Sequence, residues 1–309
     1  MTKTSKTIVF FGSGPVAAKS LELLNKIFII EAVVTKPRPE HHHGSVPVLE
    51  LAEELGLKTL LTSNKQELDE VFARKPVTSE IGVVIDYGII ISQDVIDYFP
   101  YGIVNSHFSL LPEWRGADPI TFSVLSGQGQ TGVSLMLIVQ KMDEGPLLAQ
   151  GIYDMPKDIT TPVLTEDLIL LSDALLQEIL PAYLDGQCVP RSQEEVSAMM
   201  TVQKQASYSR KLTKADGIID WQKPAQQIER EIRAFASWPQ SRTELAGKDV
   251  VITHAHVVDR SLAPGQTHVE AKQLIIGTGE QSLAIDKLKP AGKAEMSIEG
   301  FLAGYAGKL

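Results

Sequence analysis

Apolar positions along the chain change period twice, and those changes divide it. Thr7 to Phe11 is a short apolar, β-branched run; Gly12, Ser13, Gly14 and Pro15 interrupt it, and Leu21, Leu23 and Leu24 then carry a helical pattern. Strand, turn and helix in that order open a βαβ unit. Ile29 to Val34 predicts a second strand, Val48 to Leu55 a second helix, and Ile81 to Ile85 a fully apolar strand that stops at Asp86, Tyr87 and Gly88. Ile103 to Asn105 and Gly132 to Ile138 continue the sheet, and Thr165 to Leu180 reads as a long amphipathic helix that closes the domain. Continuous apolar strands alternating with helices indicate an α/β fold, with a parallel sheet covered on both faces.

After Pro190 the sequence turns polar, and Ser192 to Ala198 with the basic residues that follow predict a linker. Then the period shortens. Val250 to Ile252, His256 to Val258, Gln273 to Ile276 and Ser282 to Ile285 are short strands set between turns that hold Gly247, Gly265, Gly277 and Gly279. That spacing predicts a small β-barrel, entered by a helix from Ala225 to Phe235. The expected organisation is a catalytic α/β domain over residues 1–190, a linker over 191–207 and a barrel domain over 208–309.

Composition adds exclusions. The chain has 309 residues, 43% hydrophobic and 22% charged, enough to bury two cores. No stretch approaches the roughly 20 apolar residues of a membrane span, and Met1 to Thr7 lacks the apolar run of a secretory signal, so a cytoplasmic protein is expected. Cys188 is the sole cysteine; it excludes an internal disulfide, and its polar turn (Asp185, Gly186, Gln187) holds no histidine to activate it.

The net charge of −9 argues against a polyanionic partner, yet the charge is unevenly spread. Residues 1 to 202 hold 14 basic and 26 acidic side chains, whereas residues 203 to 309 hold 15 basic and 12 acidic. Between Gln203 and Lys214 stand Lys204, Arg210, Lys211 and Lys214 with no acid among them. They are the candidate phosphate contacts; the alternative is a solvated, lysine-rich linker.

Three groups of residues carry chemistry. Gly12, Ser13, Gly14, Pro15, Val16 and Ala17 fit the dinucleotide fingerprint between strand and helix, which makes a nicotinamide-dependent oxidoreductase the rival reading. The acid that should hold the ribose is missing, since the second strand ends in Val34, Thr35, Lys36 and Pro37. Asn105 and His107 follow a strand end and, two residues apart, face the same side. Asparagine supplies a neutral donor for an oxyanion and histidine a group to manage a proton, although a capping Asn and a loop His would look the same. Asp143 and Glu144 sit on a loop past another strand, within reach of His107 or in a plain acidic turn. His41, His42 and His43 read as a solvated turn, because consecutive histidines cannot all converge on a metal; no metal site is expected.

Taken together, Asn105, His107, Ser109, Leu110, Leu111, Pro112, Trp114, Arg115, Gly116, Ala117, Pro119, Asp143 and Gly145 resemble the active-site pattern of the 10-formyltetrahydrofolate-dependent formyltransferases. Small-molecule formyltransferases and a formyltetrahydrofolate hydrolase share it. The second half narrows the resemblance: Tyr208, Ser209, Arg210, Lys211, Leu212, Asp220, Trp221, Ile232, Arg233, Ala234, Phe235, Trp238, Pro239, Ala263, Pro264, Gly265 and the run Leu288 to Lys293 are similar to the C-terminal domain of the methionyl-tRNA formyltransferase family.

The resemblance implies a Rossmann-like domain joined to an OB-like barrel, 10-formyltetrahydrofolate as co-substrate and initiator methionyl-tRNA as acceptor. On matching positions it implies a catalytic trio of Asn105, His107 and Asp143; the chemistry of these residue types then has Asn105 and His107 stabilise the oxyanion and Asp143 hold His107 and accept the amine proton directly or through water. It also implies folate contacts from Tyr87, Gly88, Ser109, Leu110, Leu111 and Pro112; with a tRNA acceptor, the gathered basic residues Lys204, Arg210, Lys211 and Lys214 become the expected tRNA contacts, and a monomer that needs no metal and no membrane is expected. The chain departs from the family in its weakly basic loop from Lys36 to Gly44, in Asp86 ahead of Tyr87, and in Ser13, Gly14, Pro15 in place of a Gly-Thr-Pro turn.

Overall fold

The computed structural model describes residues 4–40, 44–199 and 204–308; the expectation for His41, His42 and His43 lies outside them. The chain divides into two compact units, the first formed by residues 1–119, 130–154 and 165–208, the second by 120–129, 155–164 and 209–309.

In chain order the first part runs β1 (Thr7–Phe11), α1 (Pro15–Leu24), β2 (Ile29–Thr35), α2 (Pro47–Glu54), β3 (Thr59–Leu61), α3 (Lys65–Ala73), β4 (Gly82–Val84), α4 (Gln93–Asp97), β5 (Ile103–His107), α5 (Pro119–Ser126), β6 (Gln130–Leu137), β7 (Leu147–Asp154), α6 (Thr161–Leu184) and α7 (Gln193–Met199). Seven strands form one sheet in the order β3-β2-β1-β4-β5-β6-β7. The first five pair in parallel. The last two are antiparallel and extend the expected parallel sheet at one edge. The segment from Ile138 to Pro146 is too short for the crossover of a dozen or more residues that a parallel β7 would need.

Strand order reverses between β1 and β4, and at such a switch point the loops leaving the carboxyl ends of the strands diverge to leave a crevice. Gly12 to Pro15 leave β1, Asp86 to Gly88 follow β4, and Asn105 and His107 end β5. Beneath that rim Phe11, 0% exposed, lies against the rings of Phe72, Tyr87 and Phe99 at 5.7 to 6.0 Å. Helix α3, which the apolar pattern did not reveal, supplies Leu68 and Phe72 to the same core. Its start is written in polar residues: Asn64 Oδ1 accepts from the Glu67 N–H at 3.0 Å and the Glu67 carboxylate from the Ser63 N–H at 2.7 Å.

Within the stretch expected as a linker, the described residues 191–199 and 204–207 group with the first unit, and Gln193–Met199 form α7. Arg191 and Leu147 exchange backbone hydrogen bonds of 2.9 and 2.7 Å, so the chain docks on the edge of the sheet before α7 begins. Polar composition hid this, because the helix buries polar side chains: Gln193 is 2% exposed and Ser197 7%.

The second unit holds α8 (Ala225–Ala234), β8 (Arg242–Leu245), β9 (Lys248–Val258), β10 (Thr267–Glu270), β11 (Gln273–Gly277), β12 (Ser282–Pro290), β13 (Met296–Ser297) and α9 (Ile298–Tyr305). Its strands form an antiparallel sheet in the order β8-β9-β12-β11-β10, with β13 on β12. Register shifts around His254 interrupt the long β9–β12 pairing, and bulges of this kind increase the twist and curl a sheet toward a barrel. Ala225, Ile228 and Ile232, at i, i+3 and i+7, press one face of α8 into the core made by Val250, Ile252, Leu274, Leu283 and Phe301. The result is a curled, OB-like half-barrel.

Candidate active site

The Gly-rich turn after β1 is closed. The N–H of Gly12 donates to Val34 O at 3.1 Å, and those of Ser13 and Gly14 to Asp86 O at 3.0 and 3.4 Å, so the amides that would cradle a pyrophosphate are already engaged. A Cβ on Gly14 would collide with Asp86 Oδ2, which places a carboxylate where phosphate would lie. Asp86 takes a left-handed backbone with φ +47°. Its side chain is exposed on one side and crowded by protein on the others, and that crowding, set against Lys36 and reinforced by Asp118, pushes its pKa up to about 6. A dinucleotide does not fit this turn.

On β5, Ser106 points into the core and bonds to Ser172 at 2.6 Å, which turns Asn105 and His107 to the opposite face as strand alternation predicts. No described residue hydrogen-bonds to the Asn105 side chain, which is half-buried and open to a ligand. His107 is 6% exposed. Its Nε2 lies 3.0 Å from Trp114 O and its Nδ1 3.8 Å from Asp143 Oδ1. A carbonyl only accepts, so Nε2 carries the proton and the neutral ring keeps its Nδ1 lone pair toward Asp143.

Burial lowers the His107 pKa, against opposing pulls from Asp143 and the Trp114 carbonyl, and the neutral ring is the resting form. The residue types alone have Asp143 hold the imidazole. At 3.8 Å the carboxylate acts through charge, and the carbonyl of Trp114 does the holding.

Both neighbours of His107 are held in unusual backbone. Trp114 has φ +56° and Asp143 φ +53°, a region costly for non-glycine residues and kept only where surrounding contacts enforce it. Here the Trp114 N–H donates to Ser207 Oγ at 2.9 Å, and Asp143 Oδ2 accepts from the Gly116 N–H at 2.7 Å. Gly145 must lack a side chain, because a Cβ there would overlap the Leu137 carbonyl oxygen.

The residues expected to contact folate divide. Ser109, Leu110, Leu111 and Pro112 are buried, and their polar groups are spent on the loop and on the strands beneath it. Ser109 Oγ donates to Glu113 O at 2.5 Å, the Leu111 N–H to Ser134 Oγ at 2.9 Å, and Gln150 Nε2 to Leu111 O at 2.9 Å. Tyr87, 3% exposed, bonds to Thr62 Oγ1 at 2.6 Å, with burial pushing its pKa up to about 12. These side chains shape the crevice from beneath, whereas Gly88, at φ +69°, lies on its open side near Lys36.

Comparison with known proteins bears directly on this arrangement. Residues 6–174 match the family model described as formyl transferase, and residues 211–306 that of the formyl transferase C-terminal domain. The chain belongs to the formyl transferase family. It is 36% identical over 309 residues to a methionyl-tRNA formyltransferase from Roseiflexus castenholzii, covering 97% of this chain and 96% of that protein. Among solved structures, an N-formyltransferase from Helicobacter canadensis crystallised with folinic acid and dTDP-3-aminofucose shares its fold, with TM-score 0.66, 17% identity and coverage of 91% of this chain and 98% of that one. So does HypX from Aquifex aeolicus with tetrahydrofolic acid, with TM-score 0.61, 14% identity and coverage of 97% and 47%.

As a formyl transferase the chain carries four candidate basic contacts that the structure treats unequally. Lys204 is in the first unit, 14% exposed and paired with Glu113 at 3.0 Å. Arg210, Lys211 and Lys214 are in the second unit. Arg210 is exposed but paired with Asp216, Nη1 to Oδ2 at 3.0 Å. Lys211 and Lys214 are exposed and have no ion-pair partner among the described residues. The motif also omitted residues that fix the formyl transferase loops: Ser134, Gln150, Gln193 and Ser207. Each is a polar side chain in unremarkable sequence, and only its buried partners reveal it.

Asp86 gives a test of the crevice electrostatics. Its folded pKa lies above the usual carboxylate value, so folding disfavours its ionised form at pH 7, and that penalty fades as pH falls through about 6. Asp86→Asn is expected to raise the melting temperature at pH 7.5 and to lose most of that gain by pH 4.5, read by thermal unfolding at both. An unchanged or lowered melting temperature at pH 7.5 would contradict the crowding.

Proposed function

We propose that this chain transfers a formyl group from 10-formyltetrahydrofolate to the amino group of the methionine on initiator tRNA, in the cytoplasm and as a monomer. The observation that carries the reading is the near full-length identity to a methionyl-tRNA formyltransferase, spanning both the site around His107 and the half-barrel. The folate-bound neighbours of the same fold support a folate donor. The mechanism follows from the tautomer of His107. The neutral methionyl amine attacks the formyl carbon, the C–O π bond opens to an oxyanion, and the Asn105 amide donates to that oxygen.

His107 Nδ1 takes a proton from the nitrogen that has become cationic, and the imidazolium formed is flanked by Asp143 and the Trp114 carbonyl. The oxyanion then collapses to restore the C=O bond as the bond between the formyl carbon and N10 breaks, and N10 takes the proton back from the His107 imidazolium and leaves as tetrahydrofolate. This assignment moves the proton to His107 and leaves Asp143 as its counter-charge, where the residue types alone gave Asp143 the proton and His107 a share of the oxyanion. Asn105, on the same strand face about 7 Å along from His107, is placed for the oxygen while His107 serves the nitrogen.

Purified protein is expected to formylate charged initiator tRNA in preference to elongator methionyl-tRNA with 10-formyltetrahydrofolate as donor; absence of that activity beside turnover of a free small amine would overturn the reading. Asn105→Ala is expected to lower kcat ~10²- to 10³-fold with both KM values little changed, and a loss under about fivefold would remove Asn105 from the mechanism. Neutralising Lys211 and Lys214 together is expected to reduce the slope of log affinity for tRNA against log salt by about one to two units. A wild-type slope would place the tRNA on other residues.

A further inference from the structure

Gln193 opens helix α7, which starts at a fixed point: the Ser192 N–H donates to the Glu195 carboxylate at 3.0 Å and the Glu195 N–H to Ser192 Oγ at 3.2 Å. From there the Gln193 side chain, 2% exposed, makes three hydrogen bonds. Its Nε2 donates to Asp143 O at 2.7 Å and to Gly145 O at 3.0 Å, and its Oε1 accepts from Arg115 Nη2 at 2.7 Å. Two carbonyls on one side and a guanidinium on the other admit one amide orientation only.

Those partners belong to the two loops that flank His107. One loop carries Trp114, whose carbonyl holds the ring, and Arg115; the other carries Asp143 and Gly145. Arg115 strengthens the link, with its Nη1 at 3.5 Å from Glu144 Oε1 and its backbone N–H on Ser207 O at 2.9 Å. Since Asp143 sits in a left-handed backbone and does not bond to His107 directly, its distance from the ring is set by the Gly116 N–H that holds its Oδ2 and by whatever fixes its main chain. Gly145, two residues further on, gives that main chain no stiffness of its own.

We propose that Gln193 is a positioning residue for formyl transfer: it ties the Asp143 loop to the Arg115 loop and so sets the approach of the Asp143 carboxylate to His107. The proposal rests on the reading of His107 and Asp143 as the reacting pair. Gln193→Glu separates its two halves, because a carboxylate still accepts from Arg115 but cannot donate to the carbonyls of Asp143 and Gly145. Freed of those bonds, the Asp143 loop relaxes, the imidazolium loses support, and the proton is taken less readily.

The experiment compares the wild type with Gln193→Glu, Gln193→Met, His107→Ala and Asp143→Asn, measuring kcat, both KM values and the ¹⁵N NMR titration of His107. The Gln193 variants are expected to lose about tenfold or more in kcat, to keep both KM values within about twofold, and to shift the His107 titration to lower pH. NMR reads the ring in folded molecules, so a drop in stability does not obscure that shift. A wild-type kcat and titration in Gln193→Glu, with His107→Ala and Asp143→Asn inactive, would overturn the positioning role and leave the site standing. Full activity in His107→Ala or Asp143→Asn would instead bring down the site on which the role depends.

Discussion

The site depends on one hydrogen bond, from Nε2 of His107 to the carbonyl of Trp114, 3.0 Å long and shielded from water. A backbone carbonyl cannot donate, so the bond selects the tautomer and leaves Nδ1 basic. Burial keeps the ring neutral until a proton arrives, and the carboxylate of Asp143 waits at 3.8 Å to stabilise the charge that follows. A closer, hydrogen-bonded carboxylate would raise the basicity of the resting ring, and at neutral pH the site would begin to fill with protons before the amine bound. Burial and distance thus act against the carboxylate, and burial prevails in the resting state.

Holding that arrangement requires two residues in strained backbone. Left-handed φ at Trp114 and at Asp143 costs of order 1–3 kcal/mol each. Buried hydrogen bonds, each worth about 1 kcal/mol net and about 1–3 when one partner is removed, offset it: Ser207 on Trp114, Gly116 on Asp143, Gln193 on both loops, and Ser134 with Gln150 on the segment before them. Ser134 and Gln150 stand on β6 and β7 and Gln193 on α7, so the loops around His107, itself at the end of β5, are tied to regular elements.

How much of this the sequence reveals depends on whether a property is local. Strand, turn and helix through Thr7 to Leu24, and the shared face of Asn105 and His107, follow from period alone. The match of Gly12 to Ala17 to a dinucleotide fingerprint was also local, and misleading, because the carbonyl and carboxylate of Asp86 that close the turn come from another strand end. Gln193 reads as part of a polar linker because its partners are 48 to 78 residues away. The same distance hides the burial of Tyr87 beneath the crevice. Among the basic residues, the sequence shows charge but not the neutralising Glu113 beside Lys204, which lies 91 positions earlier, whereas the Asp216 beside Arg210 is a local neighbour.

The most direct test of the account is the protonation state of one ring. In protein labelled with ¹⁵N-histidine, long-range proton–nitrogen NMR distinguishes the two tautomers and the imidazolium of His107. The structure predicts a protonated Nε2 and a bare Nδ1 at pH 7, with burial holding the ring's titration below the ordinary histidine range. A protonated Nδ1 at pH 7, whether as the other tautomer or as imidazolium, would contradict it.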